Sequence, residues 1–291
     1  MATLQPKPSL LLRIAQFPLT RLVVLGAGLY FLLGVKNGFR AEFASAPWLA
    51  LAAVAAMSAL GLAVYTAFVR FVERRPVSEL SLPGMGRELG LGLLVGAVLY
   101  TLCVLILMLL GNYQIIGLNP WSFMLPAVSM ALGSGVFEEL VYRGVLFRVV
   151  EESLGSWISL LVSSLVFGIA HLHNENATVI GALSISVEAG LLLAGAYMVT
   201  RRLWMSIGFH FAWNFTQSGI FSGNVSGNDT GQGLIKASVQ GSDWLTGGSF
   251  GLEASLVALL MGTAAGVALL LMAVRRGHII VPFWKRMPRQ E

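Results

Sequence analysis

The chain has 291 residues, of which 56% are hydrophobic and only 11% charged, and its mean hydropathy is +0.77. Soluble domains carry about 25% charged residues, so this composition excludes them and points to an all-α polytopic membrane protein. The net charge of +5 arises from short Lys/Arg clusters between apolar runs, which is a topology signal; there is no basic arm for nucleic acid. A single cysteine, Cys103, excludes an intrachain disulfide and a cysteine-based zinc site.

The first apolar run, Leu22 to Val35, is bounded by Arg21 and Lys36. It is short for a hydrocarbon core of about 30 Å unless both ends snorkel. Reading it as a signal peptide is disfavoured by the distance to Ala44-Ser45-Ala46. A second span lies between Glu42 and Arg70, followed by the cluster Arg70, Arg74, Arg75 and a polar connection through Pro76, Pro83 and Gly86. The third runs from about Glu88 to Gly111-Asn112, and Asn119-Pro120 turns the chain into a fourth, from about Ser122 to Glu151. Spans five (Gly155 to His171), six (Ala177 to Thr200), seven (Leu203 to about Phe221) and eight (Leu252 to Val274) follow. The Gly/Ser/Asn-rich stretch 222–251 reads as a flexible extracytoplasmic loop. The whole chain, 1–291, is expected to be a single integral-membrane domain, a bundle of about eight helices with its motif-bearing core at about 122–221.

Eight spans put both termini on one side. Counting Lys and Arg by connection gives 16 on that side, Arg143 included, against Lys36, Arg40 and Lys236 on the other. The positive-inside rule makes the richer side cytoplasmic, as in the plasma (inner) membrane of a bacterium. Gly92-x-x-x-Gly96 and Gly262-x-x-x-Gly266 permit close helix approach, within the bundle or between protomers.

The fourth span carries Glu138-Glu139-Leu140-Val141-Tyr142-Arg143, with no charged residue between Glu88 and Glu138. Each charge at the centre of a membrane helix costs roughly 2.5–3.5 kcal/mol, so intramembrane ionisable residues are functional by default. Glu139 and Arg143 have the four-residue, acid-first spacing of a helical ion pair. Glu138 is left without a fixed cation, its own i+4 neighbour being Tyr142. Two further polar pairs at helical spacing follow, Phe167-x-x-x-His171 and His210-x-x-x-Asn214. Depths counted at 1.5 Å per residue from the cytoplasmic ends are roughly 20 Å for Glu138, 24 Å for His171, 10 Å for His210 and 16 Å for Asn214. Those values allow an intramembrane polar cavity shared by the three helices. Glu188, near the middle of the sixth span, is expected to face the same cavity, sharing Arg143 with Glu139 or contacting His210 or His171. The residues by themselves leave other classes open: a zinc-dependent membrane protease, weak without His-Glu-x-x-His; a proton-coupled transporter, weak without an inverted repeat; and a non-catalytic scaffold that binds membrane peptides.

In this order, the three motifs resemble those of the CAAX prenyl protease and bacteriocin-processing (Abi) family of intramembrane endopeptidases. They are Glu-Glu-x-x-x-Arg at Glu138, Glu139 and Arg143; Phe-x-x-x-His at Phe167 and His171; and His-x-x-x-Asn at His210 and Asn214. The resemblance implies an eight-helix bundle with a cavity reached from the cytoplasm and a glutamate-dependent hydrolysis of a peptide bond in a membrane-associated peptide or protein, including prenylated CAAX-type ones. It further implies that Glu138 and His171 activate water and that His210 and Asn214 stabilise the oxyanion. Glu139, Arg143, Phe167 and Glu188 are the supporting residues, and no metal or other cofactor is expected.

Overall fold

The computed structural model describes residues 9–286. After a short helix α1 (Leu10–Ala15), proline at the first turn starts α2 (Pro18–Glu42) and α3 (Pro47–Ala67). The fixed φ of proline and its missing N–H cost nothing at that position. Helix α3 runs on through a π-helical turn, Phe68–Val72, and is followed by α4 (Met85–Leu109) and strand β1 (Tyr113–Leu118). The motif helix is continuous from Trp121 to Leu154: a 3-10 turn, α5 (Leu125–Glu139), a π-helical stretch Leu140–Phe147, and α6 (Arg148–Leu154). Next come α7 (Ser156–Ala170), α8 (Val179–Thr200) and α9 (Trp204–Asn214), the last prolonged by π-helical Phe215–Ile220. Strand β2 (Ile235–Val239), α10 (Asp243–Thr246) and α11 (Leu256–Arg275) complete the fold. The Thr178 hydroxyl accepts from the Gly181 N–H at 2.9 Å, and the Ser255 hydroxyl from the Ala258 N–H at 3.1 Å. These are N-caps that start α8 and α11 after irregular chain.

Among the described residues, seven helices are long and apolar enough to cross a membrane; the eighth segment, α9 with its extension, is shorter and carries His210 and Asn214. The protein is an all-α, multi-pass membrane protein with one small sheet. Helix α8 and the motif helix are its most buried long helices, whereas α2 and α11 present most of their surface outward.

Both small-residue motifs are used within the bundle. A Cβ on Gly92 would fall 2.2 Å from the Met205 carbonyl oxygen, and one on Gly96 2.6 Å from that of Phe209, so α4 lies backbone to backbone on α9. Gly262 and Gly266 likewise admit Glu188 and Leu191 of α8 against α11.

Two expectations are corrected. Helix α2 extends well beyond Leu22–Val35, and neither of its flanking cations snorkels. Arg21 pairs with Glu152 at 2.5 Å and Lys36, 4% exposed, turns inward. The stretch 222–251 is folded, not a flexible loop: β2 pairs antiparallel with β1, the Asn119 side chain donates to Gly233 O at 2.9 Å, and Asn174 donates to Ser226 O at 2.6 Å. Its many glycines serve turns and close contacts, as at Gly227 (φ +82°), whose N–H donates to Phe250 O. The charged connections at the end bearing residues 70–88, 148–156 and 199–204 are locked together. Arg148 reaches Glu73 (2.7 Å), Glu79 (3.3 Å) and Glu152 (2.9 Å), Arg201 reaches Glu151, and Arg202 pairs with Glu88.

Candidate active site

The Glu-Glu pair sits where the motif helix passes from α to π geometry. Glu139 points into the protein, fully buried, and its Oε1 accepts from Arg143 Nη1 at 2.9 Å. The same oxygen accepts from His210 Nδ1, also at 2.9 Å. Glu139 is therefore the hub between the motif helix and α9, a link beyond the reach of spacing within one helix. Arg143, fully buried, lies 4.8 Å from the centre of the Phe167 ring and donates to the Ala189 carbonyl at 3.4 Å. A guanidinium over an aromatic face is stabilised by the ring quadrupole, which gives Phe167 a definite role. The Phe167 ring also meets Tyr142 edge-on at 5.0 Å and His171 at 4.7 Å between ring centres.

Glu138 points the other way, into a cavity of about 390 Å³. His171, His210 and Asn214 line the same cavity, joined by Ser134, Tyr142 and Lys36. Glu138 Oε2 has no hydrogen-bond partner and stands 3.8 Å from both His171 Nε2 and His210 Nε2. That separation is too long for a direct hydrogen bond and suits a bridging water. The other ring nitrogens are committed: His171 Nδ1 contacts the Phe167 carbonyl at 2.7 Å, and His210 Nδ1 the Glu139 carboxylate. Both acceptors lack hydrogens, so each Nδ1 carries the proton and each Nε2 faces Glu138. With Nδ1 committed to Glu139, His210 can donate from Nε2 only as an imidazolium. Asn214 donates one amide N–H to the Ser134 hydroxyl at 3.0 Å and keeps a second.

Glu138, His171, His210 and Asn214 are thus brought together, with Glu139, Arg143 and Phe167 packed behind them. Glu188 departs from its expected place. Although 2% exposed, it has no hydrogen bond or ion pair with Arg143, His171 or His210; its Oε2 is unpartnered and rests against Gly262. It lines a separate space of about 30 Å³ behind His210 and Asn214, shared with Glu253. Burial pushes the Glu253 carboxyl up to about 7, against the pull of the hydrogen bond that it accepts from the Ser226 N–H. Tyr142 donates no hydrogen bond to Glu138 among the described residues.

Lys36 was missed. Its side chain lies flat over Gly133, where a Cβ would meet Nζ at 2.7 Å, and it ends in the cavity with no hydrogen-bond or ion-pair partner among the described residues. Arg143 is therefore not the sole cation at membrane depth. The signal was present as Lys36-x-x-x-Arg40, two cations on one face of α2, both lining the cavity. Among the described residues no group of three His, Cys, Asp or Glu is arranged to hold a metal ion.

Residues 120–216 match a family profile described as "Type II CAAX prenyl endopeptidase Rce1-like". The matched segment contains all three motifs. Comparison with curated proteins and with solved structures gives no match.

Proposed function

We propose, on the premise that the segment 120–216 belongs to the CAAX prenyl protease family, that this membrane protein is a glutamate-dependent intramembrane endopeptidase acting on membrane-associated peptides or proteins. The observation that carries the reading is Glu138 Oε2, unpartnered at the cavity wall and 3.8 Å from two histidine nitrogens. A water between Glu138 and His171 donates one hydrogen bond to each. Glu138 takes its proton as general base, and the resulting hydroxide adds to the peptide carbonyl carbon. The negative charge that develops on the carbonyl oxygen is met by the Nε2–H of the His210 imidazolium and the second N–H of Asn214. The C–N bond then breaks, and the proton held by Glu138 passes to the leaving amine. The family description names a prenylated CAAX-type C-terminus, and whether the site accepts one in detergent is read from the farnesylated half of the library below. In this reading the termini lie in the cytoplasm and the membrane is a bacterial plasma membrane, the first supported by the Lys/Arg distribution.

The test uses purified full-length protein in detergent with a library of quenched fluorescent peptides, half of them farnesylated. Wild type is expected to cleave a subset and Glu138→Gln none of it. Turnover of the same peptides by Glu138→Gln at wild-type rate refutes Glu138 as the base.

A further inference from the structure

Helix α7 with its closing 3-10 turn runs from Ser156 to His173, 18 residues or about 27 Å at 1.5 Å per residue. It begins at Ser156, bound to the Ile280 segment at one end of the bundle. The cavity lies at its other end, beside Ala170 and His171. Its outer wall is Asn37 and Arg40 from the end of α2, Asn174 beyond α7, and Asn228, Asp229 and Thr230 from the folded 222–251 segment. All of these belong to the end of the bundle that carries β1, β2 and α10. The opposite end is closed by the ion pairs of Arg21, Arg75, Arg148, Arg201 and Arg202 with Glu73, Glu79, Glu88, Glu151 and Glu152.

The two ends differ in charge. Arg143 is buried among the helices and leaves the topology count. Lys7 and Arg289 lie outside the described residues. Thirteen Lys and Arg remain at the closed end, against Lys36, Arg40 and Lys236 at the cavity end. Even when the five arginines held in ion pairs are set aside, eight stand against three. Orientation follows Lys and Arg near span ends, which makes the closed end cytoplasmic.

We infer that the cavity holding Glu138 opens on the extracytoplasmic side, and that its substrates are polypeptide segments exposed there, the juxtamembrane stretches of exported or membrane-anchored proteins. This replaces the cytoplasmic entrance that the family resemblance implies. Cytosolic prenylated C-termini face the closed end and do not reach Glu138. The rim suits such a segment: asparagine, threonine and charged side chains meet water, and the path from the rim inward leads to Glu138 and Lys36. The choice of substrate rests on the peptidase reading, whereas the side of the opening does not.

The two are tested separately. In a Cys103→Ser background, which removes the one native thiol, single cysteines are placed at Asp229, exposed at the rim, and at Ser78, exposed at the closed end. Intact cells are treated with a membrane-impermeant methanethiosulfonate carrying a quaternary ammonium group, then compared with permeabilised cells. Asp229→Cys is expected to label in intact cells and Ser78→Cys only after permeabilisation. The reverse pattern, or equal labelling of both in intact cells, overturns the inference whether or not the protein cleaves peptides. For the substrate, new peptide termini are compared between cells expressing wild type and Glu138→Gln. Termini that map to extracytoplasmic segments support it, and termini confined to cytosolic C-termini refute it. If no terminus depends on Glu138, the peptidase reading and the substrate class resting on it both fail, while the labelling result stands.

Discussion

Arg143→Met isolates what the buried ion pair contributes. The substitution keeps most of the side-chain stem and removes the charge, so Glu139 stays fully buried with one Oε1 contact, to His210, and an Oε2 that already lacks a partner. Breaking a buried pair from one side costs about 3–5 kcal/mol, because the surviving charge is stranded. Loss of the guanidinium over Phe167 adds about 0.5–2 kcal/mol. A protein of ordinary stability, about 5–15 kcal/mol, loses a large fraction of it. Glu139→Gln in the same chain removes the stranded charge while its amide oxygen can still accept from His210 Nδ1. The double variant should therefore recover part of the loss, with a coupling of about 1–3 kcal/mol. Denaturation in a single detergent, followed by circular dichroism for wild type, both single variants and the double, measures that coupling. Activity should stay low in the double variant, because the carboxylate charge behind His210 Nδ1 is gone; stability and chemistry then separate. Arg143→Met within about 0.5 kcal/mol of wild type, or strictly additive single effects, refutes the view that the pair is structural.

His171→Ala should lower turnover by about 10²–10⁴-fold with little change in melting temperature, since the ring bonds only the Phe167 carbonyl within its own helix; an unaltered rate removes His171 from water activation. Gly96→Leu should lower both stability and activity, because its side chain would enter the α9 backbone at Phe209, one residue from His210; a fully active, stable variant contradicts the observed α4–α9 packing. Glu253 predicts a pH dependence. Its folded-state value of about 7 lies above the ordinary 4.5, so the folded protein binds the proton more tightly, and stability present below about 4.5 is lost as the pH rises towards 7. The change is at most roughly 3 kcal/mol, at 1.36 kcal/mol per pKa unit, and Glu253→Gln should abolish that slope in a denaturation series between pH 4.5 and 8.

The helices and their order were legible because most of the apolar runs reach the length that membrane crossing needs, and hydropathy alone reports this. The three motifs were legible for a different reason. Charge and imidazole are too costly in hydrocarbon to be accidental, so position along the chain already marks them. What sequence spacing could not give is contact between helices. Depths counted from helix ends scattered over roughly 14 Å, yet Glu138 stands 3.8 Å from both histidines, because the helix ends are not level. Glu139 looked like a simple partner of Arg143, and only the approach of α9, allowed by Gly92, Gly96 and Gly208 against α4, makes it hold His210 as well.

Lys36 and Glu188 show how the same rule can mislead in both directions. An intramembrane charge is expected to reach the interface or find a polar partner, so Lys36 reads as a snorkelling flank and Glu188 as sharing Arg143 or contacting His210 or His171. In the fold, Lys36 reaches the aqueous cavity, and Glu188 faces a pocket of about 30 Å³, room for about one water. The open cavity replaces the ion pair for Lys36. The cavity at the His171 end of α7 is therefore what lets neighbouring helices carry polar residues at membrane depth, and it decides at which end of the bundle a substrate can meet them.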